Sequence, residues 1–429
     1  MKIHMIGIGG LGISALAKLY VHRGHQVSGT NNMPSPKTLE ELESAGVEIN
    51  YEISIENVDL DTELIVYSNA WPKKYPEFFD EIRSLGIKLL SYPEALGEIT
   101  QEYSTVCIAG THGKTTTTAM VLHILRDNNV SATGIVGSIV VEFNSNFVAG
   151  DSNVLVIEAD EYMRAFLNHK PAIVGVTNID HDHHDIYPTF DDMKQTFRQL
   201  GENLPQIGTL VCSALDQPSW DTYEDLTRNI IDYSRVETDF DLHLPGEFNR
   251  KNAQLAIAIT SVLGINEVDA KKSLGSFKGT WRRQEYKGET DSGQVVYDDY
   301  AHHPTEIAAS VSGFKEKFID KKITIIFQPH LYSRTKELFK DFVATWQSID
   351  INQLIIVPVY AARESLDPTA TSQILTDKIR AGTDMSVNYA KNFTEAVSLI
   401  NQESEIVITM GAGDITDLSN TLTSNASQK

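Results

Sequence analysis

A chain of 429 residues, 41% apolar and 22% charged, is long enough for about two to four globular domains. Its formal charge of −22 argues against nucleic acid or an anionic membrane surface as the main partner, although local basic sites still suffice for anionic substrates. The two cysteines, Cys107 and Cys212, sit in apolar runs and exclude a disulfide framework; no apolar run approaches the ~20 residues of a membrane span, so a soluble cytoplasmic protein is expected.

The first predicted strand, Ile3–Ile6, runs into Gly7-Ile8-Gly9-Gly10-Leu11-Gly12 and then a helical pattern over Ile13–Tyr20. This is GxGxxG in the context that places a diphosphate at a helix N-terminus. The second strand, Gln26–Ser28, ends in Gly29-Thr30-Asn31-Asn32 and lacks the acidic residue that would hold a dinucleotide ribose. A nicotinamide cofactor, and with it an oxidoreductase, is one reading; another diphosphate such as a nucleotide sugar is at least as well supported. A third strand follows at Leu64–Tyr67, and the segment from Tyr92-Pro93-Glu94 to Tyr103 reads as a junction between domains.

The next strand, Val106–Ala109, enters Gly110-Thr111-His112-Gly113-Lys114-Thr115-Thr116-Thr117-Thr118, followed by the apolar helical positions Met120, Val121, Ile124 and Leu125. A glycine-rich turn between strand and helix lets backbone N–H groups face phosphates. Lys114 can reach the β- and γ-phosphates, and the Thr115 hydroxyl can ligate magnesium. Strands at Val154–Ile157 and Ile173–Val176 end in Glu158-Ala159-Asp160-Glu161 and in Thr177-Asn178-Ile179-Asp180-His181-Asp182-His183-His184-Asp185. In a parallel sheet these ends gather with Lys114 at one crevice, and Glu158 supplies the hard oxygen that a magnesium triphosphate needs. The His/Asp run has two rival readings, a zinc or di-metal hydrolase site and an exposed polar loop.

After the strand at Thr209–Cys212 and a helical stretch over Lys251–Leu263, Phe277-Lys278-Gly279-Thr280 reads as a second junction. Arg282-Arg283 would stand at that hinge, where an arginine can meet a γ-phosphate as domains close. The strand Val295–Tyr297 leads into Asp298-Asp299-Tyr300-Ala301-His302-His303-Pro304; Asp299 can take a ribose or position a basic group, and the histidines can bind substrate or move a proton. Ile323–Phe327 leads into Gln328-Pro329-His330-Leu331-Tyr332-Ser333-Arg334-Thr335, in which Arg334 offers a planar fork for a carboxylate. Strands at Leu354–Val357 and Ile406–Thr409 complete the alternation, and the polar tail from Ser419 is expected to fray. The pattern is α/β with largely parallel sheets, in three domains at about 1–98, 99–280 and 281–429.

In this order, Gly7–Gly12, Gly110–Thr115, Glu158–Glu161, Thr177–Asp180 with Asp182-His183, Asp298–Pro304, Phe327–His330 with Ser333–Thr335, and Gly411–Ile415 resemble the Mur ligase family over nearly the whole chain. These are ATP-dependent amide-forming enzymes of peptidoglycan synthesis. The resemblance implies a Rossmann-like N-terminal domain for a UDP sugar, a central P-loop ATPase-type parallel-sheet domain, and a Rossmann-like C-terminal domain. It implies ATP and Mg2+ as cofactors and UDP-N-acetylmuramate and L-alanine as substrates, with no nucleic-acid or membrane partner, in a monomer or homodimer. Gly9, Gly10, Leu11, Gly12 and Ser68 would contact the UDP sugar. Gly110, Thr111, His112, Gly113, Lys114, Thr115 and Thr116 would cradle phosphate, with Asn252, Arg283 and Asp299 also on the nucleotide. Thr115, Glu158 and His183 would surround the metal; Lys114, His183, His302, His330 and Arg334 would carry the chemistry. Leu331 stands where the family has arginine, and Gly29-Thr30-Asn31 where it has Gly-Ser-Asp. Ser68-Asn69-Ala70 and Glu161-Tyr162 lean toward a family branch that takes a murein tripeptide; the short Phe166–Pro171 stretch and Gln328-Pro329-His330 lean toward the single amino acid.

Overall fold

The computed structural model describes residues 1–33, 36–362 and 364–424, and their strands form three sheets. The first holds β1 (Lys2–Ile6), β2 (Gln26–Thr30), β3 (Glu48–Asn50), β4 (Leu64–Tyr67) and β5 (Lys88–Ser91), all parallel, in the order β3-β2-β1-β4-β5. The second holds β6 (Ser104–Ala109), β7 (Thr133–Val140), β8 (Ser145–Val148), β9 (Val154–Glu158), β10 (Ile173–Val176), β11 (Thr209–Cys212) and β12 (Asn229–Asp232), ordered β12-β11-β10-β6-β9-β7-β8 with β8 antiparallel to β7. The third holds β13 (Glu285–Glu289), β14 (Val295–Asp299), β15 (Ile323–Phe327), β16 (Gln353–Ile356), β17 (Ser386–Tyr389) and β18 (Ile406–Met410), ordered β13-β14-β18-β15-β16-β17 with β13 antiparallel.

The orders explain where sites form. In the first sheet the chain leaves β1 and β4 side by side at the point where the strand order reverses, so the glycine loop and Ser68 share one end. In the second, β6 lies between β10 and β9, which brings the exits of all three strands together. Every apolar run expected as a strand is one. The strands without such a run are β3, β5, β12, β13 and β17, which are edge strands exposed on at least one residue, and the glycine- and asparagine-bearing hairpin β7–β8. Edge positions need no continuous apolar sequence, because one side meets water.

The described residues divide by contact into two compact units, 1–243 with 251–278, and 244–250 with 279–429. Within the first unit the segment Tyr92–Tyr103, expected as a junction between domains, is largely a helix, Tyr92–Thr100. Ser91 and Glu94 close a capping box at its start, with the Ser91 N–H donating to Glu94 Oε2 at 2.8 Å. Ala95, Leu96 and Ile99 are buried in a cluster that runs without a break from Ile3 and Leu16 to Cys107, Phe166 and Phe197. A Cβ on Gly97 would lie 2.6 Å from the Asn168 carbonyl oxygen, so glycine permits this approach. The first two sheets therefore share one core.

A polar clasp reinforces that union. Lys18, on the helix Leu11–His22, is 7% exposed and reaches Glu41 at 2.8 Å, Asn146 Oδ1 at 2.9 Å and Ser145 Oγ at 3.3 Å. Asn146 Nδ2 returns a bond to the Leu11 carbonyl at 2.7 Å. The β7–β8 hairpin of the second sheet is thus held against the first helix.

Cys107 and Cys212 are free and buried. The helix Thr416–Ser424 includes Ser419–Ser424, where the sequence leads one to expect a frayed tail; residues 425–429 lie outside the described residues. No helix among the described residues is long and apolar enough to cross a membrane. Replacing Lys18 by methionine keeps its volume and removes its three polar bonds. The first unit should lose roughly 2 kcal/mol, since Glu41 remains partly solvated while Asn146 and Ser145 lose a buried partner. A thermal-melt midpoint unchanged in Lys18→Met would contradict the clasp.

Candidate functional site

A cavity of about 410 Å³ opens within the first unit. The first turn of the helix Leu11–His22 lines one side, with Gly10, Leu11 and Gly12, and Ser68 beyond β4. Glu158, the last residue of β9, and Asp160 just beyond it line the other. Gly10 offers no side-chain cap to the helix, so its first-turn amides keep the positive end of the dipole toward the cavity. Gly9 stands apart from the lining: its N–H donates to Asn31 Oδ1 at 3.3 Å, and a Cβ there would lie 2.5 Å from Asn31 Nδ2. Asn31, where the family has aspartate, is buried as a brace between β2 and the glycine loop.

The phosphate loop follows β6. Gly110 has φ +130°, and a Cβ there would strike Thr177 Oγ1 at 2.0 Å; Gly113 has φ +86°, and a Cβ there would lie 2.4 Å from Asn252 Oδ1. Side chains of the β10 exit hold the loop. Thr177 Oγ1 and Asn178 Nδ2 donate to the His112 carbonyl at 2.6 and 3.0 Å, the His112 N–H donates to Asn178 Oδ1 at 3.0 Å, and the Asp180 N–H donates to Thr111 Oγ1 at 2.9 Å. Thr115 opens the helix Lys114–Asp127 and donates to Glu158 Oε1 at 3.0 Å, while Glu158 Oε2 accepts from the Gly137 N–H at 2.7 Å. Thr116 is buried in the same turn.

Lys114 Nζ lies 2.7 Å from the Gly110 carbonyl, 3.1 Å from that of Thr111, and 3.0 and 2.8 Å from the two Glu161 oxygens. Glu161 is 1% exposed. Burial alone would raise its carboxyl, but Lys114 and His183 overcome this and hold it below the usual range. Burial would lower Lys114, and Glu161 with Asp160 hold it above its ordinary value. Asp160 is pushed up to about 6 by burial and by Glu161, against the pull of Lys114. Sequence reasoning gives Glu161 no role of its own; the signal available is an acid four residues beyond an apolar strand that adjoins the phosphate loop.

The resemblance places His183 with Thr115 and Glu158 around a metal. Its Nε2 faces Glu161 Oε1 at 3.6 Å and Asp182 at 3.9 Å. Burial would lower its proton affinity, and these carboxylates raise it above its ordinary value. Thr115 and Glu158 form an oxygen donor pair suited to Mg2+. Asn252 is buried at the loop, and among the described residues its Nδ2 has no hydrogen-bond partner. His181 bonds the Tyr187 carbonyl at 2.9 Å and packs against His184, in keeping with a polar loop.

In the second unit three expected residues converge from two segments, those that follow β14 and β15. His302 Nδ1 lies 3.0 Å from the Tyr300 carbonyl and 3.2 Å from Glu306, its ring is 5.8 Å from that of His330, and Arg334 Nη1 is 3.3 Å from His330 Nδ1. Leu331 between them has φ +68°, and its N–H donates to the Tyr360 carbonyl at 2.9 Å. The arginine pair separates into two roles. Arg282 is buried against Asp298 (2.8 Å) and the carbonyls of Gly411 and Gly413, whereas Arg283 is half-buried with its guanidinium 5.0 Å from the Tyr300 ring. Asp299, expected on the nucleotide, is instead 4% exposed, with its oxygens accepting from the Gln284 and Ala301 N–H groups at 2.9 and 2.8 Å. Both oxygens accept from the main chain, so Asp299 braces the turn that carries Arg283.

Comparison with known proteins accords with these motifs. Residues 2–104 match the model of the Mur ligase family catalytic domain, 108–235 the Mur ligase middle domain, and 282–413 the Mur ligase glutamate ligase domain. The chain is similar to the UDP-N-acetylmuramate–L-alanine ligase of Caldicellulosiruptor saccharolyticus, 35% identical over 96% of each chain. It is similar to that of Clostridium acetobutylicum, 36% identical over 96% of this chain and 95% of the relative. Among solved structures, its fold resembles a UDP-N-acetylmuramate-alanine ligase from Thermotoga maritima (TM-score 0.82, 24% identity, 100% and 99% coverage) and a murein peptide ligase from Psychrobacter arcticus (TM-score 0.70, 23% identity, 99% and 98% coverage).

Burial raises the Asp299 carboxyl to about 6, with Arg283 and the two N–H donors opposing it. Between the ordinary value of 3.8 and about 6, the native state holds a proton that the unfolded chain has released. Stability from this group is therefore full below 3.8 and falls as pH rises to about 6. Carbon-13 carboxyl NMR should show Asp299 titrating near 6, and Asp299→Asn should remove its share of the pH slope; titration below 4 would contradict burial as the dominant cause.

Proposed function

The chain belongs to the Mur ligase family, and on that premise we propose that it is an ATP-dependent ligase joining L-alanine to the lactyl carboxylate of UDP-N-acetylmuramate, via an acyl phosphate, in peptidoglycan synthesis. One observation carries the reading: a single cavity has a glycine-loop helix N-terminus on one side and Glu158, bonded to the phosphate-loop residue Thr115, on the other. A nucleotide sugar spans such a space with its diphosphate at the helix and its carboxylate toward the phosphate loop.

A carboxylate is a poor electrophile. Attack of its oxygen on the γ-phosphorus of ATP releases ADP and leaves an acyl phosphate; attack of the L-alanine amine on the acyl carbon then expels phosphate, and the amine loses a proton. In this proposal Lys114 and the first-turn amides of its helix hold the phosphate oxygens, and Glu161 keeps Lys114 charged. Held by Thr115, Glu158 and His183, Mg2+ would neutralise phosphate charge and make phosphorus more electrophilic. Asn252 supplies its unspent amide to the nucleotide. Arg283 serves the phosphate; Arg334 takes the amino-acid carboxylate, and His302 and His330 hold or move the amine proton.

We keep three domains at about 1–98, 99–280 and 281–429 as the division of labour, and the cytoplasm as the location. The relatives named for L-alanine favour a single amino acid over a murein tripeptide as acceptor. The nicotinamide reading of Gly7–Gly12 is not retained in a ligase family.

Phosphate release should require UDP-N-acetylmuramate and ATP together, and be greatest with L-alanine in a panel containing glycine, L-serine and murein tripeptide. Release independent of the sugar nucleotide would overturn the proposal. Lys114→Ala should lower turnover by roughly a thousandfold or more with an unchanged circular dichroism spectrum. Near-normal turnover would remove Lys114 from the phosphate site.

A further inference from the structure

We propose that Tyr92 is a substrate-positioning residue whose phenol donates a hydrogen bond to the diphosphate of the sugar nucleotide at the first turn of the helix Leu11–His22. The proposal rests on the nucleotide-sugar reading above and names a contact that neither the glycine motif nor the phosphate loop supplies.

Tyr92 is the first residue of the helix Tyr92–Thr100, and the Ser91–Glu94 box with Pro93 fixes where that helix starts. The direction of its side chain is therefore set by rigid backbone. Its ring lines the cavity together with Gly10, Leu11, Gly12 and Ile13. A Cβ on Gly12 would lie 2.8 Å from the Tyr92 Cζ and 2.9 Å from its hydroxyl oxygen, so the polar tip, and not merely the ring, rests against the helix's first turn. Gly12 is the residue that lets the phenol come so close. Among the described residues the hydroxyl has no hydrogen-bond partner. Half-buried polar groups of this kind commonly satisfy a ligand.

The type of residue suits the place. Burial, with Asp160 and Glu158 nearby, raises the phenol well above its ordinary value, so it stays protonated and can only gain from an acceptor. A lysine or arginine at position 92 would be drawn to Glu158 and Asp160 and would compete with the metal for Glu158. A neutral donor adds a contact to an anion at the helix N-terminus without disturbing that carboxylate. Phosphate oxygens are strong acceptors and gain most from such a donor.

Tyr92→Phe removes the hydroxyl and keeps the ring. Calorimetric Kd and steady-state KM for UDP-N-acetylmuramate should both rise about ten- to a hundredfold, the loss of one hydrogen bond to a charged acceptor. The kcat at saturation and the KM for ATP should stay within about twofold, a split that a merely structural role would not produce. Unchanged donor affinity would overturn the proposal, and so would an equal loss in kcat or in ATP affinity. If the unmutated protein binds no UDP-N-acetylmuramate, the nucleotide-sugar reading itself falls; normal binding by the parent with no change in Tyr92→Phe removes only the role of Tyr92.

Discussion

Lys114 and Glu161 form the ion pair on which the central site depends. Each is costly to bury alone, and each keeps the other charged. Their contact ties the phosphate loop after β6 to the segment after β9. His183, from the segment after β10, leans on the same carboxylate. Three neighbouring strand exits are thereby fixed around one buried negative charge. In the proposed reaction that arrangement would pre-place a cation for phosphate oxygens, so that little reorganisation is needed when charge moves during transfer.

The strain in this region has the same origin. Met163 and Arg164 have φ of +53° and +58°, and His183 has φ of +54°, none of them glycine. They flank Glu161 and its histidine partner, and the main chain there is held by bonds such as that from the Arg164 N–H to the Glu161 carbonyl at 2.8 Å. Unfavourable backbone persists where surrounding contacts over-determine it. Here the over-determining contacts are the buried pair and the Tyr187 hydroxyl, which donates to the Glu161 carbonyl at 2.5 Å.

The helix Tyr92–Thr100 and the Lys18 clasp make the first two sheets one unit, and the cavity is a product of that union. The glycine loop of the first sheet belongs to a generic fold feature. Its opposition to Glu158 and Asp160 is what narrows it to a ligand with a diphosphate at one end and a reacting group at the other. Tyr92–Tyr103 reads from the sequence as a junction between domains, and the Ser91-x-x-Glu94 box signals the helix that occupies it.

The sequence by itself determined the apolar strands, the two glycine loops, the helix that follows each, and the residue types assembled at the strand exits. These are legible because local sterics and hydrophobic periodicity act within a few residues. It also sufficed to bring His302, His330 and Arg334 forward as a group. Tertiary structure alone decided that His183 lies against Glu161, that Arg282 is structural while its neighbour Arg283 keeps an accessible guanidinium, that Asp299 accepts from main-chain amides with both oxygens, and that Tyr92 meets Gly12. Each of those outcomes depends on which partners burial brings within about 3–4 Å, and on how desolvation and neighbouring charge then set protonation. Partners separated by tens of residues leave no local signature in the chain.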